Sequence, residues 1–241
     1  MPLKLKETDI LGSRAELATL PEGKLMINTI NAHSYNVAQK DAVFASALQA
    51  GVLIPDGASI VKACRWIGAK SRPQERIAGW DLFSFEMSRL ASTGREATVM
   101  FMGSSERVLS LIRERARHDY PLLRVVTYSP PYKPEFTDED NLAIISAINQ
   151  ADPDLLWIGM TAPKQEKWVY THWPELQIRC HVGAIGAVFD FYAGTARRAP
   201  QWWQDHSLEW LYRLAIEPRR MWRRYLLGNT EFLLRMLKER F

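Results

Sequence analysis

Polar side chains follow several apolar runs of the sequence, and they include groups that can move a proton or hold a phosphate. A carboxylate can act as a general base, while lysine, amide and backbone N–H groups can bind phosphate oxygens. Thr29, Asn31 and His33 follow KLMI, and Asp56 and Gly57 follow VLIP. Gly103 follows ATVMFM, Lys164 and Gln165 follow LLWIGM, and Asp190 follows HVGAIGAVF. Together they predict a site for a phosphate-bearing ligand.

Short apolar runs alternate with stretches of helical periodicity through most of the chain, beginning with KLMINTI and then SYNVAQKDAVFASALQAG. Runs such as VMFMG and LLWIG are apolar on both faces, as in strands of a parallel sheet covered by helices on each side. This rhythm predicts a Rossmann-like, doubly wound α/β domain with a mostly parallel sheet in residues 1–195, with the sheet beginning near residue 20. Ligands of such domains bind at the carboxyl ends of the strands, where the candidate residues lie.

The chain changes character after TARRAP: residues 196–241 form an appendage, and from Ser207 onward only helix-like segments remain. Breaks are expected at Glu217-Pro218 and Gly228-Asn229. This appendage carries ten Lys or Arg and five Asp or Glu, interleaved with tryptophan and leucine. That mixture favours an anionic membrane surface over nucleic acid, because stacking platforms for bases are sparser. Helices packed on the domain with solvated arginines remain an alternative.

Several candidates also have an ordinary structural interpretation. Asp56 and Gly57 could form a plain turn, Thr29 and Asn31 could cap the next helix, and His33 could be a satisfied interface histidine. Asp190 stands between two phenylalanines, where an acid needs a partner or a task. Both interpretations are open for each residue.

The stretch MTAPKQEKW, residues 160–168, combines good helix-start chemistry with a potential anion site. Proline suits the first helical turn, and the free N–H groups of that turn can face a phosphate together with Lys164 and Gln165. Glu166 and Lys167 are then interpreted as solvated charges of the same helix. We predict a helix start near Pro163.

Composition limits the remaining classes. The chain has 241 residues, 47% of them hydrophobic, and only two cysteines, which favours a globular protein of a reducing cytoplasm without a zinc site. We expect no membrane span, no cofactor and no metal. Two D-x-D pairs are interpreted as helix-start acids, at Asp138 and Asp140, and as a turn, at Asp152 and Asp154. A homo-oligomer is left open.

Seven blocks in order resemble the WecG/TagA/CpsF family of bacterial glycosyltransferases over residues 8–241. The blocks are TINAHSYN (29–36), PDG (55–57), RIAGWDL (76–82), WIGMTAPKQEKW (157–168), GAVFDFYAG (186–194), RRAP (197–200) and LEWLYRLAIEPRRMWRRYLLGN (208–229). The resemblance implies inverting, metal-independent transfer from a UDP-sugar to a polyprenyl-diphosphate-linked saccharide. It places the protein on the inner face of the cell membrane, as a cytoplasmic, peripheral enzyme of surface polysaccharide synthesis.

The same resemblance implies roles for single residues. Thr29 and Asp56 match positions linked to catalysis, with Asp56 as the base, and Gln165 and Asp190 match positions lining the nucleotide-sugar pocket. Arg213 and Arg220 match appendage arginines that close over the site and engage diphosphate.

The resemblance leaves the donor open. Thr161 replaces a glycine found in many members, and SPPYKPEF (129–136) resembles the exopolysaccharide branch. UDP-glucose, UDP-ManNAc and UDP-ManNAcA all remain as donors. A non-catalytic nucleotide-binding module recruited to the membrane is the alternative function.

Overall fold

The six predicted strands form a single parallel sheet. A computed structural model describes residues 3–241, apart from the side chains of Asp205 and Arg220. The sheet order is β2-β1-β6-β5-β3-β4, and every neighbouring pair runs parallel. The strands are β1 (Leu25–Ile30), β2 (Val52–Pro55), β3 (Ala97–Gly103), β4 (Leu123–Tyr128), β5 (Leu155–Gly159) and β6 (His181–Ala184). The predicted α/β class is confirmed.

Helices cover both faces of the sheet. In chain order they are α1 (Ala32–Ala38), α2 (Ala42–Gln49), α3 (Ala58–Ile67), α4 (Gly79–Ala91), α5 (Glu106–Asp119), α6 (Asp138–Ala151), α7 (Lys164–His172), α8 (Val188–Ala193), α9 (Gln201–Asp205), α10 (Glu209–Ile216), α11 (Pro218–Trp222) and α12 (Gly228–Arg240). Phe101 and Trp157 face a core shared with α4, α5 and α8, while Met102 and Ile158 face one shared with α6 and α7. All five residues of β5 are buried, as a strand covered on both faces requires.

The strand predicted as HVGAIGAVF is shorter than expected. Strand β6 ends at Ala184, and Gly186 then takes a positive φ of 43° that turns the chain into α8. Val188, Phe189 and Tyr192 are buried along that helix. The placement of Asp190 directly after a strand was therefore wrong, because an apolar run of this length fits a buried helix as well as a strand.

From Ser207 onward the described part of the appendage forms helices and no strand, as predicted, and the break at Glu217-Pro218 is confirmed. The break at Gly228-Asn229 was wrong. A π-helical turn, Arg223–Leu227, leads directly into α12, and Gly228 has helical φ and ψ of −64° and −40°. Gly228 is thus a helical residue whose carbonyl accepts a hydrogen bond of 2.7 Å from Asn36 Nδ2.

Helix α12 belongs to a core that also contains the first described residues. Phe232 and Met236 are buried together with Leu3, Leu5 and Tyr35. The rings of Tyr35 and Phe232 meet edge to face, 5.4 Å apart. The Glu239 carboxylate accepts hydrogen bonds from the backbone N–H groups of Leu5 and Lys6 and from the Tyr35 hydroxyl. The last helix is therefore an integral part of the α/β domain's packing.

Gly103 allows two strand ends to approach closely. Its φ is +115°, and a Cβ there would lie 2.7 Å from the Gly159 carbonyl carbon. We expect Gly103→Ala to lower the free energy of unfolding by about 3 kcal/mol, because backbone strain and overlap add. Gly23, with a φ of +100° and open space around it, is the matched control: Gly23→Ala should cost about 1 kcal/mol. Equal losses in urea unfolding would contradict this explanation.

Candidate active site

A cleft of about 590 Å³ lies between the α/β domain and the appendage. Its size suits a small-molecule substrate. Most of the residues that line it come from the segments that follow β1 and β2, from α3, from α10, from the π-helical turn and from α12. They include Asn31, His33, Asp56, Gly57, Lys62, Trp66, Arg76, Glu209, Arg213, Arg224, Tyr225, Leu233 and Met236.

Asp56 is held where β2 ends. Its N–H donates to the Ile30 carbonyl of the neighbouring strand over 2.9 Å. Arg76 fixes the same residue twice: Nε donates to the Asp56 carbonyl at 2.9 Å, and Nη2 to Oδ1 at 3.1 Å. The Asp56 side chain remains 27% exposed, so its carboxylate is oriented yet still accessible from the cleft.

Glu209 connects this strand end to the appendage. Its Oε2 accepts from Arg76 Nη1 at 2.9 Å, and its Oε1 accepts from Arg213 Nη2 at 2.8 Å. Glu209 is only 6% exposed, and ion pairs between buried partners are strong when geometry and hydrogen bonding are good. One carboxylate of α10 thus joins two guanidinium groups beside Asp56.

Opposing effects set the pKa of Asp56. Burial raises it, the positive charge of Arg76 lowers it, Glu209 raises it and Arg213 lowers it, and the outcome is a pKa above the usual aspartate value. A carboxylate with a raised pKa is a stronger base. The site is therefore suited to accept a proton from a hydroxyl group.

Three further predicted residues meet Asp56 in this cleft. Asn31 Oδ1 accepts the N–H groups of His33 and Ser34, each at 3.0 Å, so the capping interpretation of Asn31 is confirmed. Burial, followed by the charge of Arg224, lowers the pKa of His33 to about 4, which keeps its imidazole neutral at neutral pH. Gly57, the N-cap residue of α3, packs closely against Asn31, since a Cβ there would lie 3.2 Å from Asn31 Cβ.

Other predicted residues lie outside the lining of the cleft. Thr29 is half-buried in β1 and, by strand alternation, faces the same side as Ile27, whose side chain packs in the core under α4 and α8. Gly103 lies at the end of β3. Asp190 lies in α8, where Oδ1 accepts from the Thr195 hydroxyl at 3.1 Å. Their roles in binding or catalysis stay predictions.

Helix α7 begins at Lys164, as the sequence predicts, but its polar side chains make internal contacts. Lys164 Nζ donates to the Lys133 carbonyl at 2.6 Å and lies over the Phe136 ring. Gln165 is buried, and its Nε2 donates to Glu166 Oε1 at 2.8 Å. Gln165 Oε1 is buried without a hydrogen-bond partner among the described residues, so it can accept a bond from a ligand only if the structure opens locally.

The interpretation of Glu166 and Lys167 as solvated charges was wrong. Glu166 is 2% exposed, and burial raises the pKa of its carboxyl to about 7. Lys167 Nζ contacts Oδ2 of Asp41, the N-cap residue of α2, at 2.8 Å. Helical periodicity alone did not reveal that α7 is covered by α2 on this side.

The carboxyl group of Glu166 predicts an unusual pH dependence of stability. Its folded pKa is raised, so the folded state binds the proton more tightly than the unfolded chain, and this contribution is lost as pH rises through about 7. Between pH 4.5 and 8 we expect a decline of about 3 kcal/mol from this group. Glu166→Gln should flatten that slope in urea titrations, whereas Glu106→Gln on exposed α5 should not. An unchanged slope in Glu166→Gln would contradict the assignment.

Both D-x-D pairs have the structural roles that the sequence favours. Thr137 and Asp140 form a reciprocal cap at the start of α6. Asp152 ends that helix with a φ of 38°, and Asp154 Oδ2 accepts from the Thr98 N–H at 2.8 Å. Elsewhere in residues 3–241, the described side chains form no group of three His, Cys, Asp or Glu residues suited to a metal ion.

The appendage arginines differ in what the structure describes of them. Arg213 lines the cleft and also lies over the Phe191 ring, 5.4 Å from its centroid. The backbone of Arg220 lies in α11, but its side chain is outside the described residues. Contact of either residue with diphosphate stays a prediction.

Arg76 and Glu209 are site residues that sequence reasoning missed. Arg76 opens the block RIAGWDL and Glu209 lies in LEWLYR, yet neither was singled out. Glu209 stands between Leu208 and Trp210, so the argument applied to Asp190, that an acid among bulky apolar residues needs a partner, could have found it. Arg198 also interacts electrostatically with Glu209, although burial is the larger effect and lowers the pKa of Arg198. Its guanidinium lies 5.8 Å from the Trp80 ring centroid.

The fold and the cleft define an α/β protein whose acid–base and cationic groups meet at the carboxyl ends of two adjacent parallel strands. The chain belongs to the glycosyl transferase WecG/TagA/CpsF family, whose sequence model matches residues 4–241. It is therefore a glycosyltransferase. The resemblance inferred from the seven sequence blocks is confirmed, and membership of an enzyme family disfavours the non-catalytic alternative.

Three relatives carry the name N-acetylglucosaminyldiphosphoundecaprenol N-acetyl-beta-D-mannosaminyltransferase. The protein of Bacillus subtilis strain 168 is 29% identical over 215 residues, covering 89% of this chain and 79% of the relative. That of Bacillus spizizenii W23 is 31% identical over 186 residues, covering 77% of this chain and 67% of the relative. That of Staphylococcus aureus NCTC 8325 is 26% identical over 200 residues, covering 83% of this chain and 75% of the relative.

Proposed function

We propose that this glycosyltransferase moves an N-acetylmannosaminyl group from UDP-ManNAc, with inversion, to an N-acetylglucosaminyl-diphosphate polyprenol. The names of the three relatives support the sugar and the acceptor. The observation that carries the proposal is the cleft in which Asp56 lies beside Arg76, Glu209 and Arg213, because it combines a base with cations that suit a diphosphate.

The mechanism assigns one role to each group. Asp56 takes the proton of the acceptor hydroxyl as its oxygen attacks the anomeric carbon, and the bond from that carbon to the UDP oxygen breaks. Arg213, together with the N–H groups at the start of α7, stabilises the negative charge that develops on UDP. Arg76 orients the base, Thr29 is proposed to take part in catalysis, and Gln165 and Asp190 are proposed contacts of the nucleotide-sugar.

The appendage is proposed to associate with the inner membrane surface and to close over the site. No helix in the described residues 3–241 has the length and apolar character needed to cross a bilayer. Large apolar side chains are exposed on the appendage beside arginines, among them Trp202, Leu211, Ile216, Leu226 and Leu227. Such a surface suits anionic lipid headgroups. In sedimentation with anionic vesicles, we expect Leu226→Asp to remain more in the supernatant than the unmodified protein; equal sedimentation would contradict this surface.

Donor consumption tests the proposed reaction. The purified protein is mixed with UDP-ManNAc, UDP-ManNAcA or UDP-glucose and a short-chain prenyl-diphosphate N-acetylglucosamine, and UDP release is measured. We expect release from UDP-ManNAc that depends on the acceptor. Consumption of UDP-glucose instead would assign the chain to the exopolysaccharide branch, and no acceptor-dependent release from any donor would overturn the proposal.

A further inference from the structure

The cleft changes from polar to apolar along helix α3. Asp56 and Gly57 lie at the beginning of this helix, Lys62 and Ala63 in its middle and Trp66 near its end, and all of them line the cleft. At about 1.5 Å per residue, Trp66 lies roughly 12 Å along the helix axis from Ala58. The catalytic end and the tryptophan end are therefore well separated.

Helix α12 supplies the opposite wall of the apolar part. Phe232 and Leu233 line the cleft, Met236 lines it about one helical turn further on, and Ala63 and Trp66 of α3 line it as well. Phe232 and Met236 are also anchored in the core, so this wall is fixed to the domain. Arg240 lies over the Trp66 ring, 5.1 Å from its centroid, which places the end of α12 at the tryptophan end of the cleft.

Two cleft residues leave much of their apolar surface uncovered by protein. Trp66 is 42% exposed and Leu233 is 57% exposed. Apolar side chains that face a cleft joined to a polar, cationic site suit a ligand with a charged head and an apolar chain. Lys62 of α3 lines the cleft between these two ends, and its ammonium group suits the diphosphate of such a ligand.

We propose that the apolar part of the cleft, lined by Ala63, Trp66, Phe232, Leu233 and Met236, binds the first isoprenoid units of the lipid-linked acceptor. This inference rests on the proposed function, which supplies an acceptor with a diphosphate and a polyprenyl chain. The enzyme would thus recognise the acceptor at both ends of the diphosphate. Chain binding in the cleft would also draw the beginning of the lipid out of the bilayer toward Asp56.

Adjacent leucines of α12 provide a matched test. Leu233 and Leu234 are each 57% exposed, but only Leu233 lines the cleft. Leu233→Ser and Leu234→Ser are compared in vesicle-free solution with two acceptors that share the N-acetylglucosaminyl diphosphate head. One acceptor carries a short prenyl chain, and the other carries a propyl group too short to reach Trp66.

We expect Leu233→Ser to raise KM for the prenyl acceptor about tenfold, because apolar contact area is lost, while its KM for the propyl acceptor stays unchanged. Leu234→Ser should change neither value. Equal effects of the two variants on the prenyl acceptor, or an equal effect of Leu233→Ser on both acceptors, would overturn the proposal. Reduced vesicle binding of Leu233→Ser with an unchanged KM would show that this surface serves a membrane lipid instead.

Direct binding separates this inference from the proposed reaction. Titration calorimetry with the prenyl diphosphate alone should show weaker binding to Leu233→Ser than to Leu234→Ser, whether or not transfer occurs. Failure of the unmodified protein to transfer sugar to either acceptor would overturn the proposed function. Equal calorimetric affinities in the two variants would overturn the isoprenoid site.

Discussion

Replacing Asp56 by asparagine is expected to lower kcat about 10³-fold while donor and acceptor still bind. The amide keeps the size of the side chain but cannot take the proton of the acceptor hydroxyl, and general base catalysis contributes about 10² to 10⁴ in rate. Steady-state UDP release measures the loss. Because burial raises the pKa of Asp56, the unmodified enzyme should lose activity on acidification at a pH above the usual aspartate range.

A capping aspartate is the control for this substitution. Asp140 lies outside the cleft, where it caps α6 and contacts Lys133, so Asp140→Asn should retain activity near that of the unmodified protein. Thermal unfolding of both variants shows whether the fold is intact. Near-normal turnover in a folded Asp56→Asn protein would remove Asp56 from the role of base.

We expect Arg76→Gln and Glu209→Gln to shift the acid limb of the pH profile of kcat/KM in opposite directions. Arg76 lowers the pKa of Asp56 through its charge and its hydrogen bond, so Arg76→Gln should move the limb to higher pH. Glu209 raises that pKa, so Glu209→Gln should move the limb to lower pH. Each substitution also leaves a largely buried charge without its partner, and we expect losses of about 2 to 4 kcal/mol in unfolding free energy.

The sign of the displacement distinguishes electrostatics from general damage. A merely structural role would lower activity at every pH without opposite movement of the two limbs. Arg113, which pairs with Glu106 on the surface of α5, is the control: Arg113→Gln should leave the acid limb where it was. Movement of both cleft variants in the same direction would contradict the proposed coupling.

The sequence predicts the sheet well because its strands carry a local signal. Runs such as LLWIG are apolar on both faces, and each ends in a turn before a helix with recognisable start chemistry, such as Thr137 before α6. Asp56 could be placed at a strand end on the same grounds. The error at Asp190 arose where the signal is ambiguous, since buried helices and buried strands share continuous apolar runs.

Local sequence patterns do not predict the long-range contacts that complete the cleft. Arg76 and Glu209 are 133 positions apart in the sequence, and their pairing depends on where the appendage folds back. The burial of Glu166 under α2 and of Phe232 among the first described residues depends in the same way on tertiary packing. Periodicity identifies which face of a helix is apolar, but it does not identify the element that covers that face.

Helix α12 has a consequence for the order of events during synthesis. Its residues Phe232 and Met236 fill the core around Leu3, Leu5 and Tyr35, and it forms one wall of the cleft. On the ribosome this helix emerges after the other helices and strands, so the core around Leu3 and Leu5 stays incomplete until then. The proposed acceptor-binding wall therefore forms only when translation has passed α12, and a product truncated before it would expose that apolar core and lack one wall of the cleft.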